Sequence, residues 1–142
     1  EAPSLQVERL WNRASRAAAT YVQWGDNMRP DDPHDISWKA PGGGLVATVE
    51  DMARYCGALL HRRLTGEARD QMLWATAPDE LYAHGFIHDP ESNAWHHNGA
   101  QQGARTGILV LPESMRCFIA VTNSEAGNGT HWTEAMAARW VD

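Results

Sequence analysis

Lysine is almost missing from this 142-residue chain: Lys39 stands alone among twelve Lys and Arg residues. Eighteen Asp and Glu outweigh them, for a net charge of −6. Binding nucleic acid means neutralising phosphates with clustered cations, so this balance argues against a nucleic-acid partner. Long apolar runs are missing too. None approaches the ~20 residues that a membrane-spanning helix needs, and no charged-then-apolar start marks a signal peptide. No membrane span is expected. Cysteine is scarce, with Cys56 and Cys117 the only two. They form neither a metal-ligand pair nor a disulfide framework, and free cysteine is commonly buried, so both are expected to be buried thiols. There is no internal repeat and no low-complexity segment.

What remains is the composition of a folded domain. Hydrophobic residues make up 43% of the chain, and its seven tryptophans exclude a disordered tail. The length fits a single domain, 1–142, with a real core. Val7, Leu10, Trp11, Ala14 and Ala18 recur at helical spacing, which predicts an amphipathic helix over Ser4 to Ala19. TYVQW reads as a short strand and Gly25 to Asp35 as a turn-rich loop. Thr48, with Asp51 three residues later, resembles a capping box. A stripe of Val49, Met52, Ala53, Cys56, Leu59 and Leu60 then marks one helix face. A shorter helix is expected to follow, with Gly66 to Leu73 as its body.

After that the period changes. LYAHGFIHD, AWHHNGA, ARTGILVLP and MRCFIAVTN are strand-length runs joined by short turn-forming links, which predicts an antiparallel meander. Ile108 to Leu111 and Phe118 to Val121 are apolar on both faces, so helices should cover both sides of that sheet. In the closing segment Trp132, Met136 and Trp140 recur at i+4 as one apolar stripe. A Trp140 buried in that way would cost about 3–5 kcal/mol to truncate. The fold class is α+β, an antiparallel strand meander with flanking helices.

The stretch HHNGAQQGARTGILVLPE, His96 to Glu113, carries more polar and flexible chemistry than a structural sheet requires. A glycine on an edge-facing strand lets a substrate backbone lie alongside it. Histidine changes charge near neutrality, which suits His97 to hydrogen-bonding a substrate or sharing a proton. Gly99 carries no side chain to block a ligand, so Gly99→Val is expected to fill a cleft with little loss of stability. The bland alternative is that Gly99 and Gly103 only form turns. His84, His88, His96 and His97 invite a metal reading, but zinc needs converging ligands. His84 and His88 on one strand would lie about 13 Å apart, and His96 and His97 point to opposite faces, so no metal is expected. Asn128-Gly129-Thr130 fits a glycosylation sequon and, more plainly, a tight turn and helix cap.

GGGLVATVEDMARY, YAHGF, HHNGAQQGARTGILVLPE and CFIAVTN occur in the order found in class C β-lactamase-like serine hydrolases, and the chain resembles that family over about Pro41 to Asn123. The group includes penicillin-binding proteins, D-aminopeptidases and carboxylesterases. The resemblance implies the C-terminal part of a β-lactamase/transpeptidase-like domain, with 1–40 as a helix-and-loop lead-in and 41–142 as the family-like core. It implies acyl transfer through a serine ester, on an ester, amide or β-lactam, with no cofactor. His97-Asn98-Gly99 matches the family's Lys/His-x-Gly strand. His97 and Ala100 are then the catalytic candidates, Ala100 through its backbone N–H as one of two oxyanion donors. Asn98 and Gly99 form the substrate-binding wall. The substrate implied is a small acyl compound or a peptidoglycan-like peptide, in a bacterial periplasm or cytoplasm.

The departures are as specific as the match. Ser-x-x-Lys, which would supply nucleophile and base, is nowhere in the sequence. The single lysine sits in Ser37-Trp38-Lys39, and residues two apart do not share a helix face. Tyr21, Tyr55 and Tyr82 are followed two residues later by Gln23, Gly57 and His84, so no Tyr-x-Asn or Tyr-x-Ser occurs. Ala104 replaces an aromatic residue of the family pattern, which leaves Arg105 as a structural ion-pair partner or a solvated residue. Two readings follow. Either a missing N-terminal segment or partner chain holds the serine, or the chain is a noncatalytic binding module that keeps the cleft wall. The strand edge beside Gly99 is expected to be covered by that segment, by a partner, or by another copy.

Overall fold

The computed structural model describes residues 17–32, 34–61 and 81–140, together with the backbone of Gln6–Val7. At its centre is a four-stranded antiparallel meander, β5 (Ile87–Asp89), β6 (Ala94–Gln101), β7 (Ala104–Leu111) and β8 (Arg116–Thr122), in sequential order. The expected meander is therefore present. Its hairpins follow from local chemistry. Pro90 to Asn93 and Pro112 to Met115 are four-residue links of the same kind, each ending on a residue with positive φ, Asn93 at 50° and Met115 at 54°. In the first link the Ser92 hydroxyl and then the Glu91 N–H hydrogen-bond the Asp89 carboxylate and hold it below the usual carboxylate range. β6 and β7 are joined by Gln102-Gly103 alone, with Gly103 at φ 72°.

Alternation along the strands divides the sheet into two faces. α1 (Val49–Leu60) covers the first, where Leu59, Ala83, Phe86, Trp95 and Val110 are buried and Tyr55, Leu60, Ile108 and Cys117 pack on them. α2 (Gly129–Trp140) covers the second, over Ala94, Leu109 and Ala137 with Leu111 and Phe118. Burial of each larger aliphatic or aromatic side chain contributes roughly 1.5–3 kcal/mol, and helices on both faces account for the two-sided apolar runs of β7 and β8. α1 starts as its sequence predicts: Thr48 Oγ1 accepts the Asp51 N–H at 3.2 Å, and the buried Asp51 carboxylate pairs with Arg54. At the start of α2, Asn128 Oδ1 accepts the His131 N–H at 3.2 Å, so this residue acts as the cap of the helix.

Four expectations are corrected. Cys56 and Cys117 are joined by a disulfide, with Cα atoms 5.9 Å apart. Cys56 lies on the stripe of α1 that meets β8, and Cys117 faces it from β8. A separation of 61 residues hides that meeting from any spacing rule. Closing a loop of this size removes unfolded-state entropy worth about 4 kcal/mol. Second, Trp140 is 69% exposed. The buried stripe of α2 is Gly129, Thr133 and Ala137 instead. The helix begins so close to β7 that a Cβ on Gly107 would collide with the Gly129 backbone, and one on Gly129 with the Thr106 carbonyl. Only small residues fit that contact, so the large ones flank it, and the Trp132 ring lies against Gly127.

Third, within the expected helix over Ser4 to Ala19, Gln6–Val7 is a strand, β1, paired with β4 (Leu45–Val46). Strand pairing there overrides the helical periodicity, and residues 8–16 lie outside the described residues. Fourth, the loop expected over Gly25 to Asp35 contains a strand. β2 (Tyr21–Trp24, as TYVQW suggested) turns through Gly25 at φ 58° and pairs with β3 (Asn27–Pro30). A glycine with positive φ at the first turn position is the residue that a tight hairpin of this kind needs. The hairpin is tied to the end of β8 through Tyr21 N–H to the Asn123 carbonyl, 2.8 Å. The helix expected over Gly66 to Leu73 lies outside the described residues.

Candidate functional site

The site expected from the sequence lies on the second half of β6. β5 pairs with β6 only over Ala94 to His96, whereas β6 runs on to Gln101. Among the described residues no strand lies on the far side of His97 to Gln101. The register says which backbone groups this leaves open. Gln101 faces Ala104 across the two-residue turn, which makes theirs a hydrogen-bonded pair. In an antiparallel ladder such pairs alternate, so Trp95, His97, Gly99 and Gln101 bond to β7. Asn98 and Ala100 direct their N–H and C=O groups away from β7, to the open edge. Ala100 is exposed, and among the described residues nothing hydrogen-bonds its N–H.

The side chains divide in the same way. His97, Gly99 and Gln101 follow one another along the face that α1 covers further up the sheet. Asn98 and Ala100 face α2. The Asn98 side chain is used there, donating from Nδ2 to Thr130 Oγ1 at 3.2 Å, so its contribution at the edge is its backbone. The Ala100 methyl lines an open depression of about 460 Å³ bounded by Val22, Gln23, Trp24, Gln101 and Arg105. Arg105 donates to the Gln101 and Ala104 carbonyls, both at 2.7 Å, and so braces the β6–β7 turn. Among the described residues its partners are these carbonyls and no carboxylate, so its role is structural without the expected ion pair.

Gly99 departs from expectation. A Cβ there would collide with Thr106 Oγ1 on the paired position of β7. The missing side chain therefore makes room for a neighbour as well as for a ligand, and Gly99→Val strains the sheet.

Two residues that the sequence reasoning passed over meet this strip. Tyr82 OH hydrogen-bonds His97 Nε2, with the rings edge-on at a centroid distance of 5.9 Å. A tight reversal positions Tyr82: Ala83 N–H donates to the Phe86 carbonyl at 2.7 Å, Gly85 takes φ 131°, and Tyr82 bridges Ile87. Much of LYAHGFIHD is thus a turn, with strand only at Ile87–Asp89. His84 two residues on denies Tyr82 the Tyr-x-Asn or Tyr-x-Ser pattern, and a hydroxyl brought in by a turn leaves no periodic signal. At the other end, Lys39 Nζ donates to Gln101 Oε1 at 2.5 Å. Nothing near Lys39 in the sequence signals this contact, which spans 62 residues.

The remaining histidines do not join this group. His88 stacks on Trp95, centroids 4.1 Å apart, and contacts Asn93 Oδ1 at 3.0 Å. His96 turns to the α2 face, where its Nδ1 is buried without a hydrogen bond among the described residues. His84 is exposed. Among the described residues no three His, Cys, Asp or Glu side chains converge as a metal site would require, and no helix is long and apolar enough to cross a membrane.

Comparison with known proteins bears on the family and the fold. No curated protein matches the chain. A solved structure of a D-stereospecific amidohydrolase from Streptomyces sp. superposes with a TM-score of 0.72 at 13% identity, over 99% of this chain and 45% of that one. At that identity the likeness is one of fold, and the chain spans less than half the length of its structural relative. The β-lactamase family model matches residues 8–139. With nearly the whole chain matched and an antiparallel meander between two helices beneath it, the chain belongs to the β-lactamase family.

Proposed function

We propose that this chain supplies one wall of the active site of a β-lactamase-family serine hydrolase that hydrolyses or transfers the acyl group of an ester, amide or β-lactam. The observation that carries the reading is the outward Ala100 N–H on an open strand edge, one residue beyond Gly99. A substrate carbonyl lying along that edge presents its oxygen to this N–H, which stabilises the negative charge that develops as a nucleophile adds. One such donor is typically worth ~10²–10³ in rate. His97, held at Nε2 by Tyr82, stands on the adjoining sheet face, from which it hydrogen-bonds the substrate or shares a proton with it. The Asn98 and Gly99 backbone forms the wall against which the substrate extends. The nucleophilic serine and its lysine base come from a Ser-x-x-Lys helix outside these 142 residues, on an N-terminal segment or a partner chain.

The same edge supports a second reading, a noncatalytic module that binds acyl compounds or peptidoglycan-like peptides. The presence or absence of a Ser-x-x-Lys helix in the assembled protein separates the two. The 142-residue chain by itself should not turn over an activated ester or a chromogenic cephalosporin. Burst kinetics from this chain, lost on mutating one of its own serines, would overturn the proposal, because the nucleophile would then be internal.

A further inference from the structure

The Ala100 end of β6 is not carried by either helix. α2 begins against Thr106 and Gly107 and runs towards Leu109. The last pairs of β6 and β7, Ala100 with Arg105 and Gln101 with Ala104, extend past that start. There the base of the β2–β3 hairpin meets the Gln102-Gly103 turn. Asp31 is the first residue after β3, and its N–H donates to the Thr20 carbonyl at 2.8 Å, which closes the hairpin. Its side chain is only 5% exposed. Oδ1 accepts from Gln102 Nε2 at 2.9 Å and meets His34 Nε2 at 3.1 Å. Oδ2 lies against the buried Gly103, 3.1 Å from where a Cβ would stand, with the Thr20 Cβ at 2.6 Å from the same point.

A second carboxylate reaches the same turn from the end of β8. Glu125 accepts the Gly103 N–H at Oε1, 3.4 Å, and the Gln23 N–H at Oε2, 3.2 Å. Its own N–H donates to the Tyr21 carbonyl at 3.1 Å. Segments far apart in the chain thus converge on one turn, two residues beyond Ala100. Asp31 makes the shorter bond to it. A carboxylate taken out of water is costly unless its donors stay in place, and a hydrogen bond to an ionised acceptor is stronger than one between neutral groups. Asp31 therefore holds Gln102 firmly.

We propose that Asp31 is a positioning residue for the Ala100 N–H: by holding Gln102 it fixes the direction in which the end of β6 presents that donor. This rests on the oxyanion role proposed for Ala100 above. A strand end free to twist would carry the N–H off the line to a carbonyl oxygen, and a misplacement of ~1 Å caused far from the chemistry can cost ~10² in rate. Oxyanion charge develops only as the nucleophile adds, so the loss falls on acylation and not on substrate affinity.

The direction of the Ala100 N–H is read in the 142-residue chain from its residual dipolar coupling, beside those of Trp95 and Leu109 further up the sheet. Asp31→Ala and Gln102→Met should both change the Ala100 coupling and leave the other two as they are. Gln102 is exposed, so Gln102→Met decides the matter if Asp31→Ala does not fold. Asp31→Asn, whose amide oxygen still accepts from Gln102, should keep the wild-type value. In the enzyme assembled with its Ser-x-x-Lys segment, Gln102→Met should slow acylation about ten-fold at unchanged substrate affinity. It should add nothing in an Ala100→Pro background, where the N–H is already gone. An unchanged Ala100 coupling, or slowing that adds to that of Ala100→Pro, would overturn the positioning. A changed coupling together with wild-type acylation by Ala100→Pro would uphold the positioning and overturn the oxyanion role, so the two conclusions fail separately.

Discussion

At the scale of single residues, the candidate site is built from atoms that point the right way for reasons of register. Ala100 contributes a backbone donor because it occupies a position whose N–H turns away from β7. Gly99 is the neighbour that keeps the edge thin, and its constraint comes from Thr106 across the ladder. A Cβ at Gly99 meets the Thr106 hydroxyl too closely, while the Thr106 Cβ lies at 3.8 Å, an ordinary contact. The strain of Gly99→Ala should therefore belong to one oxygen. In the wild-type background Gly99→Ala is expected to lose stability. In a Thr106→Ala background, where that oxygen is gone, it should be neutral or gain, since alanine suits a strand better than glycine. The coupling in such a double-mutant cycle should be on the order of 1 kcal/mol by urea denaturation. Additive effects would mean that Thr106 does not crowd Gly99.

At the scale of elements, the sequence was most legible where a short-range signal and the tertiary structure agree. Thr48 and Asp51 cap α1 as read, and short turn-forming links join the strands as read. The open edge at His97 to Gln101 could be anticipated from its glycine and its place in the family order of motifs. What could not be read depends on contacts between distant segments. The Cys56–Cys117 bond, the strand Gln6–Val7 and the reach of Lys39 to Gln101 all join residues with no local signature of their meeting. α2 shows the principle most clearly. Its large residues suggested one stripe, and the close approach of Gly129 to Gly107 rotated the buried face to the small ones. Gly107→Ala should consequently cost more than Trp140→Ala. The first forces a methyl into the Gly129 backbone, with a loss of about 1–3 kcal/mol or more. The second trims an exposed ring, with a loss below about 1 kcal/mol. Chemical denaturation of the two variants checks the order, and the reverse order would return Trp140 to the core.

For the molecule as a whole, both faces of the central sheet are covered by its own helices, and among the described residues the edge beyond β5 is left without a strand. The proposed function puts the chemistry on that edge, with a single backbone N–H as the chain's proposed contribution to holding the oxyanion. Ala100→Pro removes that N–H without removing a ladder bond, because the group points away from β7, and proline is tolerated at such outward edge positions. The measurement is the acylation rate of Ala100→Pro in the enzyme assembled with its Ser-x-x-Lys segment, with thermal melting as a check on the fold. The expected result is acylation slowed by ~10²–10³ with the melting transition nearly unchanged. An unaltered acylation rate in a folded Ala100→Pro variant would show that Ala100 does not hold the oxyanion and that the open edge is not the catalytic wall.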